Sequence, residues 1–333
     1  MTAIVYHDYG SPDVLRVEEI DKLLPNDNQL LIKVRAAGAN PLDWHYMRGT
    51  PYLVRMEAGL RRPEDIRLGV DVAGVVEAVG KNVTQFKPGD EVFGAGAGSF
   101  AEYVLASERR VALKPANITF EEAASVPIAA LTALQGLRDH GRIQPGQKVL
   151  INGASGGVGT FAVQIAKSFG AHVTGVCSTR NVEMVRSLGA DHVIDYTREN
   201  FTEGEQRYDL ILDNVGNHPL SALRDVMNPD GIYVIVGGPN EGRWLGPMAR
   251  ALKATMLSPF VSQELVMFMA QITRDDLLVL KELMETKKVT PVIDRTYTLP
   301  EAPEAIRYLE EGRARGKVVI TVERNEEEEG AGT

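Results

Sequence analysis

The 333-residue sequence has a single cysteine, Cys177, and no long run of apolar residues. One cysteine excludes an internal disulfide framework and a zinc site built from several cysteines. No apolar run approaches the roughly 20 residues that a membrane-spanning helix needs. The first ten residues also lack the charged-then-apolar plan of a signal peptide. We therefore expect a cytoplasmic protein with no membrane partner.

Basic residues are outnumbered by acidic ones, 36 to 45, which gives a net charge of −9. An acidic protein is a poor match for nucleic acid, although a local basic pocket for a small anion remains compatible with this balance. The six histidines are scattered and lack the spacing of metal ligands. The composition predicts no nucleic-acid partner and no metal site.

Two patterns of apolar residues divide the chain and predict an α/β fold. Up to about residue 120, short alternating runs separated by Gly, Asn and Asp are typical of a compact, largely antiparallel β domain. A helix follows, with Thr119 and Glu122 at the spacing of a capping box. Strands and helices then alternate, which predicts a parallel sheet covered on both faces. The predicted strands are 148–152, 172–177, 192–195, 209–213 and 232–236, and the predicted helices are about 158–169, 181–188 and 220–227.

The stretch "VLINGASGGVGTFAVQIAK" places a glycine-rich bend between a predicted strand and a predicted helix. In the dinucleotide fingerprint, the middle glycine lets the backbone approach a pyrophosphate and the last one lets helix and strand pack closely. Gly156 and Gly159 occupy those positions, and Ala154 replaces the first glycine. The helix N-terminus favours an anion, so the context indicates a bound dinucleotide rather than a plain glycine turn.

The second predicted strand ends without an acid, in Cys177, Ser178, Thr179 and Arg180. An NAD site places a carboxylate there to bind the ribose 2′-hydroxyl. Two hydroxyl groups and a guanidinium suit a 2′-phosphate instead. This end of the strand predicts NADPH, with Ser178 and Arg180 on the 2′-phosphate; a solvated polar loop is the alternative.

Seven segments make the chain similar to one family: "AGANPLDWHYMRG", "GVDVAGVVEAVGKNVTQFKPGDEVFG", "GSFAEYVLA", "ASVPIAALTALQGL", "NGASGGVGTFAVQIAK", "LGADHVIDY" and "ARGKVVI". Together they resemble the zinc-free quinone oxidoreductase-like branch of the medium-chain dehydrogenase/reductase superfamily, near its reticulon-4-interacting protein-like group. The resemblance implies a GroES-like catalytic domain, residues 1–120 plus 290–323, and a Rossmann NADPH-binding domain, residues 121–289. It places the active site between them. We expect the remainder, 324–333, to be an acidic disordered tail.

Zinc-dependent relatives differ at the positions of their metal ligands. They carry a Cys where Pro41 begins a turn here, Gly-His-Glu where this chain has Gly69, Val70 and Asp71, and a four-cysteine lobe that is absent here. The resemblance thus implies no zinc. We expect Asp71 to be a buried structural carboxylate and Cys177 an ordinary buried residue.

The resemblance also implies the cofactor contacts. The glycine loop would line the pyrophosphate, polar residues after the strands would hold the adenosine end, and a returning basic segment would close over the cofactor. The implied cofactor-binding residues are Ser155, Gly156, Gly157, Val158, Gly159, Ser178, Arg180, Tyr196, Asn214, Val215, Gly237, Phe268, Arg313, Ala314, Arg315 and Lys317. A solvated basic turn is the alternative for the returning segment.

Without a Lewis-acidic metal, charge that develops on the substrate oxygen has to be spread over the substrate itself. Quinones and α,β-unsaturated carbonyls do this, whereas simple ketones form a localised alkoxide. The implied catalytic residues are Asn40 and Asp43, which fix ribose, water or substrate, and His45 and Tyr46, which are candidate proton donors. His45 and Tyr46 alternatively only line the cleft.

Two other functions fit the same sequence. One is an NADPH-binding sensor or interaction protein with little turnover, and the other is an enoyl-thioester reductase. NADPH oxidation with quinones and enals distinguishes the sensor from an enzyme. The resemblance further implies a homodimer.

Overall fold

The computed structural model describes residues 1–238 and 262–322. Residues 239–261 and the predicted acidic tail 324–333 lie outside the described residues. Within this part of the chain, no helix combines the length and apolar character of a membrane span.

The N-terminal sequence folds into a largely antiparallel sheet, as its alternating pattern predicted. The strands of this region are β1 (Thr2–Val5), β2 (Arg16–Glu19), β3 (Gln29–Ala39), β4 (Asp71–Val79), β5 (Glu91–Ala95), β6 (Tyr103–Ser107) and β7 (Val111–Leu113). β3 pairs with β4 and β6, β4 with β5, and β5 with β7, all antiparallel, while β1 and β2 form a separate pair. Apolar side chains of β3 and β4, such as Ile32 and Val72, pack under this sheet. Two helices, α1 (Pro41–Arg48) and α2 (Val54–Ala58), connect β3 to β4.

The middle of the chain forms the predicted parallel sheet. Its strands are β8 (Lys148–Asn152), β9 (His172–Cys177), β10 (His192–Asp195), β11 (Tyr208–Asp213), β12 (Met227–Ile235) and β13 (Glu264–Met267), in the order β10-β9-β8-β11-β12-β13. The order reverses beside β8, which in doubly wound sheets marks the crevice where a ligand binds. β12 begins at Met227, five residues before the predicted strand, and β13 was not predicted.

The helices between β7 and β14 are α3 (Phe120–Ala124), α4 (Pro127–Gln135), α5 (Gly157–Ser168), α6 (Val182–Ser187), α7 (Leu220–Asp225) and α8 (Arg274–Glu285). α5, α6 and α7 pack on the parallel sheet, whereas α3 packs on β3 and β4 of the N-terminal sheet. Thr119 caps α3 through the predicted capping box with Glu122. α5 buries Phe161, Ala162 and Ile165 against the strands.

The last described elements return to the N-terminal sheet. β14 (Ile293–Thr298), α9 (Ala302–Glu310) and β15 (Lys317–Thr321) complete it, with β15 parallel to β14 and antiparallel to β3. Gly316, just before β15, donates its N–H to Ser155 O at 2.9 Å. The returning segment therefore contacts the glycine loop of the parallel sheet. The fold thus brings the N-terminal sheet and the parallel sheet together at that loop.

Candidate active site

The glycine loop between β8 and α5 has the shape that a pyrophosphate requires. α5 begins after Gly156, which provides no side-chain cap, and its first turn has no acidic residue. The first N–H groups of a helix have no helical acceptor, and the dipole makes this end positive. A Cβ added at Gly156 would meet only Gly153 O, at 3.5 Å. The backbone is thus open to a ligand, and the loop fits an anion.

Gly159 has the other role of the fingerprint. A Cβ there would lie 2.1 Å from Gly153 O and 2.8 Å from Ala154 Cα, so only glycine allows the helix to approach the turn. Gly157 faces the other half of the molecule, since a Cβ there would lie 3.2 Å from Lys317 Cδ. Of the three glycines, Gly156 leaves the backbone open to a ligand, whereas Gly157 and Gly159 allow close packing.

The structure brings the two predicted serines together through a residue that was not predicted. Asn181 is buried, and its Nδ2 donates to Ser155 Oγ at 3.0 Å and to Ser178 Oγ at 3.2 Å. The signal available in the sequence was an Asn directly before the helix α6, where it reads as an ordinary helix cap.

Arg180 lies on the same side as these serines and reaches the returning segment. Its Nη2 donates to Arg313 O at 2.8 Å. Arg313 and Arg315 are exposed, and Arg315 N donates to Asp294 Oδ2 at 2.8 Å, while Ala314 packs against the apolar core of the returning elements. Arg180 and the 313–315 turn therefore form one exposed basic edge beside the glycine loop.

Residues after β11 and β12 line the loop's other side. Asn214 Nδ2 donates to Asn152 O at 2.9 Å, and its Oδ1 is buried without a partner among the described residues. Val215 is 39% exposed and its Cγ2 would lie 2.8 Å from a Cβ at Gly153. A Cβ at Gly237 would lie 2.1 Å from Asn214 O, so this glycine permits a tight crossing.

Two further predicted cofactor residues follow strands of the parallel sheet. Tyr196 follows β10, is 59% exposed, and donates its N–H to Cys177 O at 3.1 Å, which places it beside the end of β9. The ring of Phe268 stacks on His140 with centroids 4.3 Å apart, and it packs at the end of α4. Phe268 therefore packs on His140 and α4, and its contact with the cofactor stays a prediction.

Lys317 also differs from the expectation, because its ammonium group is buried. It is only 3% exposed and donates to Asn40 Oδ1 at 2.5 Å, with Asp71 Oδ2 at 3.5 Å. Asp71 is fully buried and also accepts from Asn40 Nδ2 at 2.9 Å and from Ile128 N at 3.0 Å. Lys317 is thus held by Asn40 and Asp71 of the N-terminal sheet, and its predicted contact with the cofactor stays a prediction. Asp71 is the buried structural carboxylate that we expected.

Asn40 and Asp43 belong to the same buried cluster. Asn40 N donates to Asp43 Oδ2 at 2.7 Å, which fixes the start of α1. Burial raises the pKa of Asp43 to about 7, with the charge of Asp71 adding to the effect. Burial raises the pKa of Asp71 against the opposing effects of Lys317 and its hydrogen bonds, and burial lowers the pKa of Lys317. The ammonium group of Lys317 contacts Asp71 and also acts on the charge of Asp43, and the Lys317 side chain links this cluster to the glycine loop at Gly157.

His45 and Tyr46 are half-buried on α1. His45 Nδ1 lies 2.7 Å from Thr50 O, so this nitrogen carries the hydrogen and Nε2 is left as the reactive atom. Burial lowers the pKa of His45 despite that hydrogen bond. Burial raises the pKa of Tyr46, and a hydrogen bond with Glu57 adds to the rise. His45 is the better placed of the two to exchange a proton, because the Tyr46 hydroxyl already has a protein partner.

The residues at the zinc position do not fit a zinc ion. The carboxylate of Asp71 is bonded to an amide, a backbone N–H and an ammonium group. Within residues 1–238 and 262–322, no group of three or more His, Cys, Asp or Glu side chains could hold a metal. Cys177 lies at the end of β9, and burial raises its pKa to about 11, which makes it a poor thiolate.

Comparisons with known proteins bear on this geometry. Residues 26–116 match the family described as alcohol dehydrogenase GroES-like domain, and residues 188–320 match the one described as zinc-binding dehydrogenase. The chain is 38% identical to "NAD(P)H oxidoreductase RTN4IP1, mitochondrial" of Mus musculus, over 97% of this chain and 89% of that protein. The chain belongs to the medium-chain dehydrogenase/reductase superfamily.

Within this superfamily it is similar to reductases of activated carbonyl compounds. It is 36% identical to "NADPH-dependent alkenal/one oxidoreductase, chloroplastic" of Arabidopsis thaliana, over 96% of this chain and 79% of that protein. Among solved structures it resembles the quinone oxidoreductase from Coxiella burnetii, with a TM-score of 0.83 and 30% identity over 97% of this chain and 99% of that one. The predicted family and the GroES-like plus Rossmann fold class are confirmed.

Proposed function

We propose that the chain is an NADPH-dependent reductase of quinones or α,β-unsaturated carbonyls that works without zinc. The single observation that carries the proposal is the open backbone at Gly156, above the uncapped start of α5 and beside the basic edge at Arg180. The names of the similar reductases support the same reaction. When bound, NADPH supplies a hydride.

The residues of the chain divide the remaining work. The N–H groups of Gly157 and Val158 bind the pyrophosphate, while Ser178 and Arg180 bind the 2′-phosphate. The buried pair of Lys317 and Asp71 holds Asn40, which in turn fixes α1. His45 on α1 is the proposed proton donor to the substrate oxygen.

The substrate class follows from the polar groups at the cleft. No metal-ligand set within the described part of the chain would stabilise a localised alkoxide. A quinone or enone spreads the incoming charge into a hydroquinone anion or an enolate, which one or two hydrogen-bond donors stabilise. Simple aliphatic ketones are therefore expected to be poor substrates.

The division of the chain is part of the proposal. Residues 1–120 with 290–323 form the catalytic domain, and residues 121–289 form the NADPH-binding domain, with 324–333 as an acidic tail. A homodimer and a cytoplasmic location also remain proposals.

A reductase assay tests the function. Purified protein is given NADPH or NADH with 1,4-benzoquinone, phenanthrenequinone, a short enal and cyclohexanone, and absorbance at about 340 nm is followed; the arms are compared at ~1 mM acceptor, near typical KM values. The expected result is turnover of the quinones and the enal with NADPH and little with the ketone. Tight NADPH binding with no oxidation by any acceptor would instead favour a sensor.

A further inference from the structure

The side chain of Asn181 bonds two predicted cofactor-binding residues, Ser155 and Ser178, that lie on different loops. Ser155 belongs to the glycine loop after β8, and Ser178 follows the end of β9. One amide group, on a side chain that is 4% exposed, donates to the oxygen of both serines. Ser155 and Ser178 are only half-buried, so a ligand has access to these two residues that it does not have to Asn181.

These hydrogen bonds settle which way the hydroxyl hydrogens point. An amide NH₂ has two hydrogens, and both are used on the serine oxygens. Each serine oxygen accepts, so its own hydrogen remains available for another acceptor. In the described part of the chain, neither Ser155 nor Ser178 donates that hydrogen to a protein group. Both hydroxyl groups are therefore presented outward as donors.

The number of buried polar groups left without a hydrogen bond decides the orientation of the Asn181 side-chain amide. Asn181 Oδ1 is buried and has no partner among the described residues. Exchanging the oxygen and nitrogen would turn both hydroxyl hydrogens inward and leave two buried N–H hydrogens unpaired. Two unpaired donors cost more than one unpaired acceptor, so the orientation with NH₂ on the serines is favoured.

We propose that Asn181 is a positioning residue that makes the chain prefer a dinucleotide with a 2′-phosphate over one with a 2′-hydroxyl. The inference rests on the proposed function and concerns the adenosine end of the same site. A phosphate only accepts hydrogen bonds, whereas a ribose hydroxyl also needs an acceptor for its hydrogen. A serine locked as a donor matches the phosphate, and Arg180 beside it supplies the charge.

The test measures binding, so it does not depend on turnover. Dissociation constants for NADPH, NADH, adenosine 2′,5′-bisphosphate and adenosine 5′-monophosphate are measured by calorimetry for the wild type and for Asn181→Ala. Removing the amide frees both hydroxyl groups to rotate, and we expect the preference for the 2′-phosphate to fall at least about tenfold. A preference that is unchanged overturns the inference.

Asn181→Asp is a second variant of nearly the same shape. A carboxylate only accepts, so it turns the serine hydrogens inward and adds a repelling charge. We expect a loss of preference larger than that of Asn181→Ala, about 100-fold. Asn200→Asp, an exposed position on the same domain, controls for added negative charge and should leave the preference within about twofold of the wild type. A loss in Asn181→Asp no larger than in this control contradicts the proposal.

A third arm asks whether Asn181 acts through the serines. In a Ser155→Ala/Ser178→Ala background, Asn181→Ala should cause no further change in preference, because there are no hydroxyl groups left to orient. If Asn181→Ala lowers the preference for the 2′-phosphate as much in that background as it does alone, Asn181 does not act through the serines and the proposal is overturned. If the wild type binds neither dinucleotide, the proposed function fails; if the wild type prefers NADPH and Asn181→Ala does too, only this inference fails.

Discussion

Lys317 Nζ lies 3.5 Å from Asp71 Oδ2, with both side chains at least 97% buried and 246 residues apart in the chain. The pair joins the last strand of the GroES-like sheet to the first residue of β4. It occupies the region where zinc-dependent relatives hold their metal, and it provides the positive charge that the buried carboxylate needs.

Lys317→Met removes that positive charge while keeping most of the side-chain volume. Breaking a buried pair by deleting one partner costs about 3–5 kcal/mol, because the other charge stays buried. We expect a loss of this size in the free energy of urea unfolding at neutral pH. Lys281→Met, which removes a surface pair with Glu285, should cost less than about 1 kcal/mol. Equal losses for the two variants would show that the buried pair contributes no more than a surface one.

Asp43 makes the stability of the protein depend on pH. Its pKa is about 7 in the folded protein against an ordinary 3.8, so the folded chain holds this proton more tightly than the unfolded chain does between those values. Stability from this group is therefore lost as pH rises from about 4 to about 7. In Asp43→Asn, the amide oxygen can still accept a hydrogen bond from Asn40 N, and the side chain has no acidic proton to lose.

The expected result for Asp43→Asn is a gain over the wild type that grows across that window, by at most about 1.4 kcal/mol per pH unit. Urea unfolding at half-unit pH steps measures it. Asp225→Asn, on the exposed face of α7, reports what the same substitution does at the surface. A difference between Asp43→Asn and wild type that stays flat from pH 4 to 7 would contradict the prediction.

Gly156 and Gly159 should respond differently to the same added methyl group. Gly156 has φ −85° and ψ 178°, which alanine adopts easily, and a Cβ there meets only Gly153 O at 3.5 Å. Gly156→Ala should keep the unfolding temperature of the wild type and lower NADPH affinity by about tenfold or more, because the methyl group occupies the approach to the backbone. Calorimetry and thermal unfolding measure the two effects.

Gly159→Ala should instead destabilise the fold itself. Its Cβ would lie 2.1 Å from a backbone oxygen that cannot move without opening the turn. The expected loss is about 2–4 kcal/mol of unfolding free energy, measured without any cofactor. If both glycine variants lost stability equally, the loop would have no face reserved for a ligand.

We expect His45 to donate a proton only at pH values below the ordinary pKa of histidine. Burial lowers that pKa below 6.5, so the protonated form that donates from Nε2 is populated as pH falls through the lowered value. Wild-type kcat/KM with a quinone should therefore rise towards acid pH. His45→Asn keeps a donor for Thr50 O but lacks Nε2, and it should lose this rise. A His45→Asn profile that matches the wild type would leave His45 with a role in holding the loop at Thr50.

The sequence was sufficient for the elements built from neighbours in the chain. The glycine loop with β8, α5 and β9, and the capping box at Thr119, depend on spacing over a few residues, and the structure has them within a residue or two of prediction. α8 (Arg274–Glu285) was missed although Thr273 caps it through Asp276 N, a local signal that was present. The predicted glycine loop and the predicted end of β9 likewise held Ser155 and Ser178, which the structure joins through Asn181.

Partners across the fold were beyond the sequence alone. Lys317 reads as a cation beside a basic turn, and nothing local shows that β15 inserts next to β3 and carries its ammonium group to Asn40 and Asp71. The one sequence signal was its place at the head of the apolar run "KVVIT", where a lysine needs a buried partner. Asn181 was missed for the same reason, since its two serines belong to different strands.

The two sheets differ in how late in synthesis their last strand becomes available. Strands β8 to β13 are consecutive, so the Rossmann sheet has all its described strands once residue 267 has been synthesised. The GroES-like sheet must wait, because β15 sits between β14 and β3 and is made from the final residues. The Ala36–Ala39 part of β3 therefore lacks this partner until β15 is made, and the later domain is expected to mature first, the reverse of the usual N-to-C order.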